Sequence, residues 1–104
     1  MKKVINGLTY NTTTATKIAA YETPGGRLGD DFSVVREVLF KTPKGRHFLY
    51  GRGFADGWGA PACGGGVGFG ADIRALTPAE ARAWVERREI DPDEVDDEFQ
   101  FEDA

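Results

Sequence analysis

The sequence predicts an α+β fold, a twisted antiparallel sheet of about four or five strands with two or three helices packed on it. Three observations predict it. Asn6-Gly7 separates two short runs of strand-forming residues. A valine-rich stretch from Phe32 to Thr42 returns through Pro43-Lys44-Gly45. Thr77-Pro78-Ala79-Glu80 opens a segment with apolar residues at helical spacing. Each pairs a hydrophobic period with the turn or cap that bounds it. At 104 residues the chain suffices for one hydrophobic core. The expected division is a single α+β domain over residues 1–90, including a glycine-rich loop at 51–70, and an acidic C-terminal helix and tail over 91–104.

The elements follow in chain order. Asn6-Gly7 tolerates positive φ at both centres of a type I′ turn, so Lys3-Val4-Ile5 and Leu8-Thr9-Tyr10 form a two-residue hairpin. Thr12 to Thr14 offer N-cap oxygens to Ala15-Thr16-Lys17-Ile18-Ala19-Ala20-Tyr21-Glu22, read as a short helix ended by Pro24-Gly25-Gly26. A polar loop over residues 27–31 leads into the strand from Phe32 to Thr42, and Arg46 to Gly51 is its returning partner. Nine glycines between Gly51 and Gly70 rule out a helix and are read as a long surface loop carrying exposed aromatics. Ala71 to Leu76 alternates as a half-buried strand. Thr77 then caps a helix with Pro78 at its first position and Glu80 completing a capping box; Ala81, Trp84 and Val85 dock it on the sheet. Asp91-Pro92-Asp93-Glu94 starts a last short helix, which Val95 and Phe99 hold to the body.

Charge is distributed unevenly. Residues 89–104 hold nine acids and no base, while residues 1–88 hold all thirteen Lys and Arg against eight acids, so a net charge of −4 divides into a body at +5 and a tail at −9. Such polarity steers charged partners. Met1-Lys2-Lys3 runs directly into a strand, no apolar stretch reaches membrane-span length, and the single Cys63 fits a reducing compartment. The expected location is the cytoplasm of a bacterial host, with no membrane partner.

Signatures of chemistry are weak. The glycine-rich stretch lacks both the Gly-x-Gly-x-x-Gly register and a Gly-Lys-Ser/Thr, so no nucleotide cofactor is expected. Cys63 and His47 are the only thiol and imidazole. Cys63 sits in a flexible glycine context and His47 reads as a solvent-facing strand residue, so the catalytic pair is the weaker reading. Zinc lacks enough ligands, and the tail lacks the glycine and terminal Glu of an EF-hand loop. No metal, no cofactor and no catalytic residue are expected. The basic residues are spread over strands and turns, which disfavours direct nucleic-acid binding. Asp93, Glu94, Asp96, Asp97 and Glu98, with the loop aromatics Trp58 and Phe69, are the candidate partner-binding residues, because carboxylates about one helical turn apart can imitate phosphates in a basic groove.

The pattern of Lys2-Lys3-Val4-Ile5-Asn6-Gly7 with Tyr10 and Thr14-Ala15, Asp31-Phe32, Glu37-x-Leu39-Phe40-Lys41-Thr42-x-Lys44-Gly45, Phe48-Leu49-Tyr50-Gly51, Ile73 to Leu76 and Glu80-Ala81-x-x-Trp84 resembles small proteins carried by phages, plasmids and conjugative elements of bacteria. Some similar proteins are assigned as anti-CRISPR inhibitors, chiefly of Cas9-type effectors. The resemblance covers most of residues 2–86; the glycine tract and the acidic extension depart from it. It implies a non-enzymatic, stoichiometric inhibitor whose partner is a CRISPR-Cas effector and which blocks nucleic-acid binding or cleavage. The alternatives are an accessory or regulatory protein of a mobile element, or a small enzyme using Cys63 and His47.

Overall fold

The computed structural model describes residues 1–23, 35–53, 58–61 and 67–104. Asn6 and Gly7 take φ of 51° and 79°. They turn β1 (Lys2–Ile5) into β2 (Leu8–Asn11), paired from Lys2↔Asn11 to Ile5↔Leu8, as the Asn-Gly pair predicts. Asn11 Oδ1 then accepts from the Thr13 amide at 2.9 Å, and the Ala15 amide bonds Asn11 O at 3.1 Å. The threonines therefore build a side-chain-closed turn and cap no helix.

Residues 15–22, expected as a helix, contain instead strand β3 (Thr16–Glu22). The reason lies in its pairing with β4 (Val35–Lys41), whose register shifts between Lys17 and Ala19. That bulge turns Ile18, Ala19 and Tyr21 toward one core and breaks the two-residue alternation. An eight-residue helix is marginal alone, and the strand pairing outweighs its local preference. Beyond β3, the expected helix stop at 24–26, the loop at 27–31 and the strand start at 32–34 lie outside the described residues.

β4 returns through the turn at Gly45 (φ 87°) into β5 (His47–Gly53), in register from Lys41↔His47 to Val35↔Gly53. The glycine-rich stretch is not one unstructured loop. β5 extends to Gly53, β6 (Ala60–Pro61) pairs with β7 (Val67–Gly68), and β8 (Gly70–Leu76) pairs with the whole of β5. The main sheet has the order β3-β4-β5-β8, antiparallel throughout. The class is α+β, with four strands in the main sheet.

Thr77 caps α1 (Pro78–Arg87) with a complete box: Glu80 N donates to Thr77 Oγ1 at 3.1 Å, and Thr77 N to Glu80 Oε1 at 2.8 Å. The helix ends in paired bonds from Glu89 N to Glu86 O and from Ile90 N to Val85 O, with Glu89 at φ 54°. Two or three helices were expected; among the described residues there is this one α-helix and a single 3₁₀ turn, Pro92–Glu94. After the proline-led turn the chain continues as turns, too short for the expected C-terminal helix.

Two cores result. Ala81, Trp84 and Val85 of α1, with Val95 and Phe99, pack on one sheet face against Ala19, Val35, Leu39 and Leu49. The β1–β2 hairpin covers part of the opposite face, where Tyr10, Phe48 and Ile73 are buried and Tyr10 meets Phe48 edge-on at 5.5 Å. Lys3 bonds Asp72 at 2.8 Å beside it.

Candidate functional site

The acidic segment is part of the folded body. Val95 and Phe99 are buried in the α1 core. Arg82 donates to Gln100 O at 3.2 Å and lies 4.6 Å over the Phe101 ring, so α1 clamps the chain beyond them. Asp93, Glu94, Asp96 and Asp97 stay exposed on this backbone. Asp93, Asp96, Glu102 and Asp103 line an open pocket of about 340 Å³ floored by Phe99 and Phe101. The result is an ordered anionic surface, in place of a solvated tail.

Glu98 differs from its neighbours. Its side chain is only 17% exposed; Oε1 lies 2.8 Å from His47 Nε2 and 2.9 Å from Lys41 Nζ, and Oε2 lies 3.1 Å from the same ammonium. An ionised carboxylate only accepts, so His47 Nε2 carries the proton. Burial pushes the Glu98 carboxyl up, but the hydrogen bonds and charges of Lys41 and His47 outweigh it and hold the group below its ordinary value. Glu98 is thus an internal anchor and not a partner-facing acid. His47, expected to face solvent, is 6% exposed and stacks on Phe99 at 5.4 Å. Strand alternation puts it on the α1 face beside Leu49. Its Nδ1 is buried with no hydrogen-bond partner among the described residues.

Trp58, expected as an exposed contact residue, is 2% exposed. Its ring covers Gly51, where a Cβ would overlap the indole. Its Nε1 donates to Glu37 Oε2 at 2.7 Å, while Trp84 Nε1 and Arg88 Nε each donate to Glu37 Oε1 at 2.8 Å. Glu37 is 1% exposed; burial raises its carboxyl, and the three donors with the Arg88 charge more than offset that, holding it low. Arg74 sits 3.7 Å above the Trp58 ring and Arg88 4.3 Å above that of Tyr21. Glu37, Arg74, Arg87 and Arg88 rim an open pocket of about 400 Å³. Phe69 is 46% exposed, matching its expected place at the surface.

Sequence reasoning missed Glu37, although Val35, Glu37 and Leu39 alternate onto one apolar face and so mark a buried acid. It also missed the sheet face away from α1. There Arg36 pairs Arg52 across β4 and β5, Val38 pairs Tyr50, and Lys17 pairs Phe40. Cys63, and with it the expected Cys63–His47 pair, lies outside the described residues. Among the described residues no group of His, Cys, Asp and Glu could hold a metal ion, and no helix is long and apolar enough to cross a membrane.

No protein family, curated protein or solved structure matches the chain.

Proposed function

We propose that the protein is a non-enzymatic binding module that docks a basic partner through its ordered acidic surface. One observation carries the reading: Asp93, Glu94, Asp96 and Asp97 are exposed on a segment fixed by Val95, Phe99 and the Glu98 contacts to Lys41 and His47. Anions fixed before binding lose little conformational freedom on docking, and their summed field speeds encounter with a cationic groove. The resemblance to small proteins of mobile elements makes a Cas9-type CRISPR effector the partner to test first. In that role the carboxylates occupy the groove that otherwise receives nucleic-acid phosphates, and inhibition is stoichiometric.

The test reverses Asp93, Glu94, Asp96 and Asp97 to lysine and leaves Glu98 in place. Effector cleavage is titrated with each protein, and complex formation is followed at low and physiological salt. The parent protein is expected to inhibit near one molecule per effector, with an affinity that falls as salt rises, and the reversed variant to lose inhibition. Equal inhibition by the reversed variant removes the acidic surface from the contact, and inhibition far below one inhibitor per effector replaces binding with turnover. Failure of both proteins to bind any such effector removes this partner from the reading.

A further inference from the structure

Lys17, Arg36 and Arg52 are scattered in the sequence, and the sheet gathers them. They line one open pocket of about 450 Å³ with Val38, Phe40 and Tyr50, on the face opposite α1. The β1–β2 hairpin packs over Phe48 and Ile73 on this face, and Met1 and Thr12 at its two ends wall the pocket.

Two features here are left uncompensated among the described residues. Arg36 and Arg52 stand directly opposite each other on neighbouring strands, an arrangement in which like charges repel. Glu22 engages Arg36 at 3.0 Å in an exposed pair, but among the described residues Arg52 has no acidic partner. In addition, Arg52 Nε is buried with no hydrogen-bond acceptor among the described residues. Buried donors rarely stay unpaired, because the lost hydration is not recovered. An anion with several oxygen acceptors between the two guanidinium groups relieves the repulsion, and a turn of the Arg52 side chain toward it brings Nε to an acceptor.

Charge alone fits any anion; the aromatic side chains narrow the choice. Tyr50 lies two residues from Arg52 on β5, and Phe40 lies opposite Lys17, so half-buried rings interleave with the cations. Phe40 is itself stacked on Phe48, with ring centroids 5.1 Å apart. Cations along a backbone track with aromatic side chains between them are what unpaired bases and their phosphates recognise, and a four-stranded sheet face carrying such rings is a known platform for splayed single strands. We propose that this face binds a short single-stranded nucleic acid, with phosphates at Arg52, Arg36 and Lys17 and bases against Tyr50 and Phe40. The acidic surface belongs to the α1 side of the sheet, so the site does not depend on the docking function proposed above.

The test is fluorescence anisotropy of a labelled oligothymidylate and an oligouridylate about a dozen nucleotides long, from low to physiological salt. Three phosphate contacts at about −0.7 each give a log–log salt slope of about −2. Arg52→Gln is expected to weaken binding and make that slope shallower by about 0.7–1. Tyr50→Leu, which keeps apolar cover over the small core, is expected to weaken binding roughly 5- to 150-fold with the slope unchanged. The variant with Asp93, Glu94, Asp96 and Asp97 reversed is expected to keep the dependence on Arg52 and Tyr50. Absence of binding at low salt, or equal binding by Arg52→Gln, overturns the proposal. Displacement of the oligonucleotide by polyglutamate at equal charge, with no effect of Tyr50→Leu, also overturns it in favour of an acidic protein surface. Circular dichroism of each variant confirms that the fold is retained.

Discussion

The Trp58 indole N–H donates to Glu37 Oε2 at 2.7 Å, joining two residues 21 positions apart at the buried centre of the sheet. Trp84 and Arg88 fill the other carboxylate oxygen. One acid on β4 therefore ties the glycine-rich stretch and α1 to the same sheet face. A buried charge is tolerable only when its hydrogen-bonding capacity is met, and three donors meet it here.

Glu37→Ala leaves two indole donors without their acceptor and removes the Arg88 Nε bond to this carboxylate. It is expected to cost about 3–5 kcal/mol, the range for breaking a buried pair from one side. Urea unfolding at neutral pH measures it. Glu37→Gln keeps one acceptor oxygen and is expected to lose less. The native carboxyl is held below its ordinary 4.5, so its stabilisation is complete above the unfolded value and is lost as pH falls through the folded one. The fall in urea midpoint below about pH 4.5 is expected to be shallower in Glu37→Gln, since Asp72 and Glu98, also held low, keep titrating.

Gly51→Ala is expected to destabilise by more than an ordinary strand substitution. Gly51 has no φ that demands glycine; its need is space, because the Trp58 ring lies against its backbone. An added methyl forces the indole off the sheet and strains its bond to Glu37. Overpacking of this kind costs about 1–3 kcal/mol. A red shift of tryptophan emission alongside the lower midpoint assigns the loss to Trp58; an unchanged spectrum and midpoint contradict it.

Local chemistry made the hairpin at Asn6-Gly7, the β4–β5 turn and the α1 cap legible in the sequence, because each is set by residues within a few positions. Ile18 and Ala19 misled for the opposite reason. A bulge, visible only through β4, gives a strand the apolar spacing of a helix. Trp58 was read as exposed because glycine density signals a loop, while the use of Gly51 as a seat for an indole depends on a contact across the sheet. Val95 and Phe99 were read correctly as the docking pair of the acidic segment, but Glu98 was grouped with its exposed neighbours. Its partners Lys41 and His47 lie 57 and 51 positions away, and no local pattern announces them. Arg36 and Arg52 looked scattered for the same reason, as only strand register puts them side by side.

Thr77→Ala removes the oxygen that accepts from Glu80 N. A loss of about 0.5–2 kcal/mol is expected, and thermal unfolding reads it. Thr77→Ser retains the acceptor and is expected to recover most of the loss. If alanine and serine behave alike, the cap contributes nothing to the stability of α1.

Glu98→Ala separates the anchoring acid from the exposed acids on the same segment. It strands the His47 donor in a buried position and releases Lys41, which is 39% exposed in its side chain and screened accordingly. A loss of about 1–3 kcal/mol is expected, most of it from the unpaired histidine donor. The loss concentrates in the C-terminal segment, so the Phe99 amide, bonded to Val95 O at 2.8 Å, is expected to exchange faster than amides in β4 and β5. Because the Glu98 carboxyl is held below 4.5, the same loosening is expected in the parent protein as pH falls through that lowered value, and to be absent near neutrality. Asp97→Ala, a neighbour with its side chain in solvent, is expected to leave exchange at Phe99 unchanged. If the two variants behave alike, Val95 and Phe99 alone hold the segment and the ion pair is incidental.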